Sequence, residues 1–174
     1  MLTIRKATIE EHKEVVDFYY TLIDQMNDAD YRAEWKKGVY PSEEYLKDAI
    51  EKNELFIGKE EDKIVAGMIV NHNCHENYKQ VKWAVDAKED EVMVLHTLGV
   101  LPSCSGRGYA RQMVEHALFY AKEKGQKAMR LDMLDGTLRG AKVYTGVGFL
   151  YKETIQMYYA DTGWANFRMY EYIL

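Results

Sequence analysis

Between an apolar run ending in Leu98-Gly99-Val100-Leu101 and a stretch with apolar residues at helical spacing (Ala110, Met113, Val114, Ala117, Leu118, Ala121) lies the turn Ser105-Gly106-Arg107-Gly108-Tyr109. A glycine-rich turn that enters a helix lets backbone N–H groups converge at the positive helix end, and Arg107 and Arg111 add formal charge there. Such a turn suits a phosphate-type anion. A dinucleotide fingerprint needs a small residue at position 111, where this chain has Arg111, and the Gly-Lys-Ser/Thr ending of the nucleotide P-loop occurs nowhere. A tight turn without a ligand would use the same two glycines, so the turn alone leaves both readings open.

Other reactive side chains are less organised. His72, Cys74 and His75 are ligand types, but three neighbours without a distant fourth make a poor zinc site, and no metal is expected. Cys104 precedes the same helix, where a thiol can be activated, yet no histidine is fixed beside it by sequence, so it reads as a plain loop thiol. Cys74 and Cys104 form no Cys-x-x-Cys pair and fit free thiols of a reducing compartment.

The elements that must position these residues can be read from apolar periodicity. Thr8 and Glu11 form a capping box ahead of a helix through Val15, Phe18, Tyr19, Leu22, Ile23 and Met26, and Pro41-Ser42-Glu43-Glu44 opens a second. Tyr31 to Tyr40 reads as an aromatic, charged loop over the core. Leu55–Gly58 and Ile64–Val70 form a hairpin about Glu60-Glu61-Asp62; Val92–Leu101 is a strand, and the helix after the glycine turn ends at Gly125. A strand at Ala128–Leu134, a helix over Thr137–Val147 and two tyrosine-rich strands, Phe149–Tyr159 and Asn166–Leu174, complete the order β α α β β β α β α β β. At 174 residues, 47% hydrophobic and with no repeat or linker, the chain is expected to be one mixed α/β domain spanning 1–174.

Charge narrows the partners. The net charge of -5 argues against general nucleic-acid affinity. Residues 102–130 carry Arg107, Arg111, Lys122, Lys124, Lys127 and Arg130 against Glu115 and Glu123, whereas 10–34 carry eight acids against Lys13 and Arg32. Either segment can be a solvated helix face. No apolar stretch reaches the roughly 18 residues of a membrane span, and the first residues lack a secretory run, so no membrane partner and a cytoplasmic location are expected.

Leu98-Gly99-Val100, the Ser105–Ala110 turn, the following strand and Ala141-Lys142-Val143-Tyr144-Thr145-Gly146-Val147-Gly148-Phe149 together resemble the GNAT family of N-acetyltransferases, over about residues 92–149. The family turn reads Arg/Gln-x-x-Gly-x-Gly/Ala, of which Gly108 and Ala110 remain. The later segment reads Asn-x-x-Ala-x-x-Leu-Tyr-x-x-x-Gly-Phe, of which Ala141, Tyr144, Gly148 and Phe149 remain. Ser105 stands where the family usually has Arg or Gln, and Thr137 where it has Asn. Arg107 and Arg111 are the neighbouring cations that can compensate for the first.

The resemblance implies one mixed, mostly antiparallel sheet with helices on both faces, and acetyl-CoA as cosubstrate. Its cofactor site would comprise Leu98, Gly99, Val100, Ser105, Gly106, Arg107, Gly108, Tyr109, Ala110, Arg111, Thr137 and Tyr144. The strand of Leu98 and Val100 would splay from its neighbour and offer N–H groups to the pantetheine arm and the thioester oxygen. Acetyl would move to a primary amine by direct attack through a tetrahedral intermediate. Tyr144 matches the family's proton donor to the departing thiolate; alone, one tyrosine among 14 would read as core.

By strand alternation His96 shares a face with Val94 and Leu98, where a neutral imidazole can take the ammonium proton; a buried structural histidine fits the pattern equally well. Glu91 is a weaker candidate base. The acidic stretch 10–34 and the loop with Trp35 and Tyr40 precede the core where the family usually builds its acceptor pocket, and acids with aromatics suit a cationic amine such as a polyamine, an aminoglycoside-like molecule, an amino acid or a peptide terminus. Rival readings are a protein or peptide N-acetyltransferase, a non-catalytic acyl-CoA sensor and a structural interaction domain. The tyrosines of the last two strands pack a sheet or a subunit contact, which leaves a homodimer open.

Overall fold

The computed structural model describes residues 1–26 and 33–174. The chain runs β1 (Thr3–Lys6), α1 (His12–Gln25), α2 (Glu43–Glu51), β2 (Leu55–Glu60), β3 (Lys63–Asn71), β4 (Val92–Val100), α3 (Tyr109–Glu123), β5 (Ala128–Leu134), α4 (Leu138–Val147), β6 (Leu150–Tyr159) and β7 (Gly163–Ile173). This is the order that the periodicity predicts. The strands form one sheet ordered β1-β2-β3-β4-β5-β7-β6, antiparallel everywhere except between β4 and β5.

Local signals set most boundaries. The Glu11 carboxylate accepts the Thr8 N–H at 3.0 Å, but the box opens a 3-10 turn, Ile9–Glu11, that runs on into α1. Ser42 caps α2 by accepting the Tyr45 N–H at 3.1 Å. Strand β7 starts at Gly163, earlier than expected, because Tyr159 and Gly163 close the hairpin directly.

Helices of 9 to 15 residues are marginal alone, so docking of their apolar faces holds them. Val15, Phe18, Tyr19, Leu22, Leu46 and Ile50 of α1 and α2 pack on Leu55, Ile57 and Ile69. On the opposite face Met113, Val114, Ala117 and Ala121 of α3 pack on Met68, Met93, Leu95 and Met129, with α4 resting partly on the same cluster. Each fully buried aliphatic side chain contributes about 1.5–3 kcal/mol.

Three features of the sheet position the site. Strands β4 and β5 pair only through Val92↔Ala128, Met93↔Met129 and Val94↔Arg130, and beyond that rung they part. At the last rung Arg130 is buried: its Nε donates to Glu171 at 3.1 Å, its Nη2 donates to the Val85 carbonyl at 2.8 Å, and it lies 4.4 Å from the Trp83 ring centroid. Arg130 therefore does not belong to a solvated basic face.

Second, Gly67 and Gly99 face each other in β3 and β4 beneath α1. A Cβ on Gly99 would lie 2.2 Å from Leu22 Cδ2, so the helix rests directly on backbone.

Third, the register between β3 and β4 jumps from Gly67↔Gly99 to Ile69↔His96, which gives β4 one extra residue. Thr97 lies in this bulge at φ +50°, and the Tyr19 hydroxyl donates to its carbonyl at 3.0 Å. The bulge corrects the alternation argument. His96 faces the α1 side beside Ile69, whereas Leu98 packs on the α3 side.

Candidate active site

Where β4 and β5 part, a cavity of about 1100 Å³ opens between the two half-sheets. Its walls come from β4 (Leu95 to Val100), β5 (Asp132 to Leu134), the start of α3, one side of α4, and an aromatic group below α1 and α2. Past Val94 the edge of β4 turned toward β5 has no partner strand, so Leu98, Gly99 and Val100 line the cavity with backbone as well as side chains.

The anion end is built by the glycine turn. Gly106 and Gly108 hold φ of +77° and +76°, a region that L side chains resist. Gly108 caps α3 without a side-chain bond, and the first helical bond runs from Gln112 N–H to the Gly108 carbonyl at 3.1 Å. The N–H groups of Tyr109, Ala110 and Arg111 therefore lack intrahelical acceptors at the positive helix end.

Ser105 lines this end but turns its hydroxyl back to the Pro102 carbonyl at 2.7 Å. Arg107 is engaged elsewhere. Its guanidinium donates to Glu60 of β2 at 2.8 Å and is not among the cavity-lining side chains, and the Tyr109 hydroxyl donates to the same carboxylate. Arg111 pairs with Glu115 at 2.7 Å and does line the cavity, as do Thr137, Arg139 and Lys142 from α4. Arg139 and Lys142 were not singled out by sequence; their spacing of three on the helix after Thr137 is the signal that could have found them.

His96 is partly buried on the cavity wall, its Nε2 donating to Asn71 Oδ1 at 3.0 Å. The Asn71 amide is oriented by its own donation to Glu54 at 2.9 Å and by the Asn73 N–H on Oδ1 at 3.0 Å. Burial lowers the imidazole below the ordinary histidine value, with the Asp132 charge opposing, so His96 is neutral at pH 7. Tyr144 lines the cavity from α4, its ring 5.8 Å from Phe149 and 6.2 Å from Tyr170. Burial first, and the nearby Asp132 and Tyr170 second, raise its phenol, which keeps it protonated at physiological pH.

Glu91 is elsewhere: it pairs with Lys127 at 2.8 Å, accepts the Lys88 N–H at 2.9 Å and does not line the cavity. His72 donates from Nδ1 to the Val92 carbonyl at 2.8 Å, and His75 Nδ1 accepts the Asn77 N–H at 3.2 Å. Among the described residues no group of three or more His, Cys, Asp or Glu is placed to hold a metal. Cys104 is buried and borders the cavity.

Trp35 and Tyr40 line the cavity together with Tyr45: ring centroids lie 6.5 Å apart for Trp35 and Tyr40, and 5.5 Å for Tyr40 and Tyr45. Burial pushes the Tyr45 phenol up to about 12. Asp28, Asp30, Tyr31 and Arg32, part of the acidic stretch and its loop, lie outside the described residues. Among the described residues the acids that line the cavity at this side are Asp161 and, on β5, Asp132. The Asp132 Oδ2 accepts the Tyr78 hydroxyl at 2.7 Å and the Tyr159 hydroxyl at 3.0 Å. Sequence reasoning missed it; a carboxylate two residues after Arg130 within a buried strand was the available signal.

Comparison with known proteins agrees with this architecture. The pattern of the acetyltransferase (GNAT) family matches residues 20–149. Among solved structures, a GNAT family acetyltransferase from Streptococcus agalactiae is similar at TM-score 0.82 and 17% identity, covering 99% of this chain and 95% of that one. The yncA protein of Salmonella typhimurium, solved with its cofactor acetyl-CoA, aligns at TM-score 0.74 and 13% identity over 100% and 94%. A polyamine N-acetyltransferase of Drosophila melanogaster, which forms N-acetylagmatine, aligns at TM-score 0.72 and 14% identity over 100% of both chains. No curated protein matches the chain in sequence.

Proposed function

The chain belongs to the GNAT acetyltransferase family, and from that premise we propose that it moves an acetyl group from acetyl-CoA to the primary amine of a small molecule. The observation that carries this reading is the continuity of one cavity from the open N–H groups of α3, along the unpartnered edge of β4, to His96, Tyr144 and the aromatic wall.

The residues present fit the cosubstrate. The N–H groups of Tyr109, Ala110 and Arg111, with Arg111, Arg139 and Lys142 lining the same cavity, suit a diphosphate, and the edge of Leu98 to Val100 suits an extended amide-bearing arm. Acetyl-CoA supplies a thioester, an acyl carbon already activated toward amines. What the protein must add is proton management. His96, neutral and oriented through Asn71, accepts a proton from the acceptor ammonium so that the nitrogen lone pair is exposed. As the C–N bond forms and the C–S bond breaks, the electron pair leaves on sulfur, the Tyr144 phenol supplies the proton that makes the free thiol, and the second proton of the attacking nitrogen replaces it on the Tyr144 oxygen, which leaves a neutral amide. The wall of Trp35, Tyr40 and Tyr45 supports a small acceptor in preference to a peptide, and the polyamine acceptor of the Drosophila relative is of the same chemical kind.

The test is free-thiol release from acetyl-CoA across an amine panel, with calorimetric titration of coenzyme A. Saturable coenzyme A binding and amine-dependent release are expected. Binding without release for any amine would make the chain an acyl-CoA sensor, and no binding would overturn the reading altogether.

A further inference from the structure

The parallel register at the fork brings together two residues that sequence spacing does not connect. Val94 and Arg130 form the last rung between β4 and β5, and His96 and Asp132 each stand two residues further along. Side chains at i and i+2 share a face, so the two project on the same side of the sheet from the two lips of the widening gap. Both line the cavity.

Asp132 is held for a task. Its Oδ2 accepts two tyrosine hydroxyls, from Tyr78 and Tyr159, which takes up two of the roughly four acceptor positions of a carboxylate and fixes its plane. No lysine or arginine pairs with it among the described ion pairs. The cationic side chains that line the cavity, Arg111, Arg139 and Lys142, all stand on α3 and α4. Besides Asp132, the acceptor side carries Asp161, from the turn between β6 and β7, with aromatic rings, and no lysine or arginine among its described lining residues.

We propose that Asp132 selects the acceptor: its carboxylate receives the ammonium of the incoming amine opposite His96, and it discriminates against amines that carry a carboxylate on the adjacent carbon. The acceptor class is therefore an aliphatic or aryl-alkyl amine, with its apolar stem along Tyr40, Tyr45 and Trp35, in preference to an α-amino acid. An amino acid would bring a second carboxylate into a gap that already has one and, among the described residues on the acceptor side, offers no cation to receive it. The reach of the Asp132 charge agrees with this central position, since it acts on His96, Tyr144, Tyr40 and Tyr45 alike. This inference rests on the acetyl-transfer reading and narrows its substrate.

The experiment uses the full chain and matched acceptors that differ only by the α-carboxylate, putrescine against ornithine and phenethylamine against phenylalanine. The wild type should favour the carboxylate-free member of each pair. Asp132→Asn, which keeps an oxygen for the two tyrosine hydroxyls, should lower kcat/KM for the amines about 10- to 100-fold. It should also compress the ratio within each pair to a few-fold, with coenzyme A affinity unchanged. Asp132→Glu should recover part of the preference, and it carries the test should the asparagine variant fold poorly.

A wild-type preference for amino acids, or a pair ratio unmoved by Asp132→Asn, would overturn the assignment. So would a lowered melting temperature with the ratio intact, because Asp132 would then only brace Tyr78 and Tyr159. Absence of thiol release by the wild type with every acceptor would instead remove the acetyl-transfer reading beneath it.

Discussion

Adding one methyl group at Gly99 probes the contact on which the β4 side of the cleft depends. Carbon atoms in contact sit about 3.5–4.0 Å apart. A Cβ at position 99 would stand 2.2 Å from Leu22 Cδ2, so Leu22, only 1% exposed, would have to retreat by roughly 1.3 Å into a packed interface. Overpacking of this kind costs about 1–3 kcal/mol, and for a chain of this length each kcal/mol lowers the melting temperature by roughly 2–4 °C. Gly99→Ala should therefore melt about 2–12 °C below the wild type. Leu22→Ala alone leaves a void and should lose about 2–5 kcal/mol. In the double variant the new methyl group enters the vacated space, so its loss should fall short of the summed single losses by at least about 1 kcal/mol. Urea denaturation of the four proteins followed by circular dichroism measures the cycle. Single losses that simply add, within about 0.5 kcal/mol, would refute the claim that α1 rests on the backbone of β4.

Two further outcomes concern Tyr144 and His96, the proposed proton carriers. Tyr144→Phe should lower kcat about 100-fold or more while leaving the coenzyme A dissociation constant unchanged by calorimetry, and an unaltered kcat would exclude the phenol as donor. For His96, burial depresses the folded-state value below the unfolded value of about 6.5, so the base form persists into mild acid and the acid limb of kcat/KM lies below that pH. The unfolded chain then binds the proton more tightly; the contribution of His96 to stability is present above about pH 6.5 and is lost as pH falls through the folded value. His96→Gln should abolish that limb and reduce the acid sensitivity of the melting temperature, and persistence of the same limb in the variant would dismiss His96 as the base.

The features that were legible in the sequence are those written locally. Periodic apolar positions such as Met113, Val114, Ala117 and Ala121 specify which face of α3 meets the sheet, and Gly106 and Gly108 specify a turn no other residue makes as easily. Trp35, Tyr40 and Tyr144, which a loop and a motif marked in the sequence, line the cavity. What escaped was set by partners distant in the chain. Arg107 is claimed by Glu60, 47 residues away, because the end of β2 lies beside the start of α3. The extra residue at Thr97 is stabilised by the Tyr19 hydroxyl from α1, so alternation within β4 could not reveal that His96 and Leu98 face apart. Asp132 gains meaning only once β5 lies parallel to β4 and in a particular register.

The rung of Arg130 has a consequence for how the molecule tolerates change. The guanidinium, secured by Glu171, Val85 and Trp83, acts like the stop on a zip fastener and fixes where the half-sheets separate. The positions of His96 and Asp132 are in effect counted from that stop, two residues along either side. A residue inserted into β4 or β5 beyond it would swing His96 or Asp132 to the wrong side of the sheet, whereas one inserted between β6 and β7 would leave the count intact. Lineages that lengthen this protein should do so at the hairpin and spare the zip.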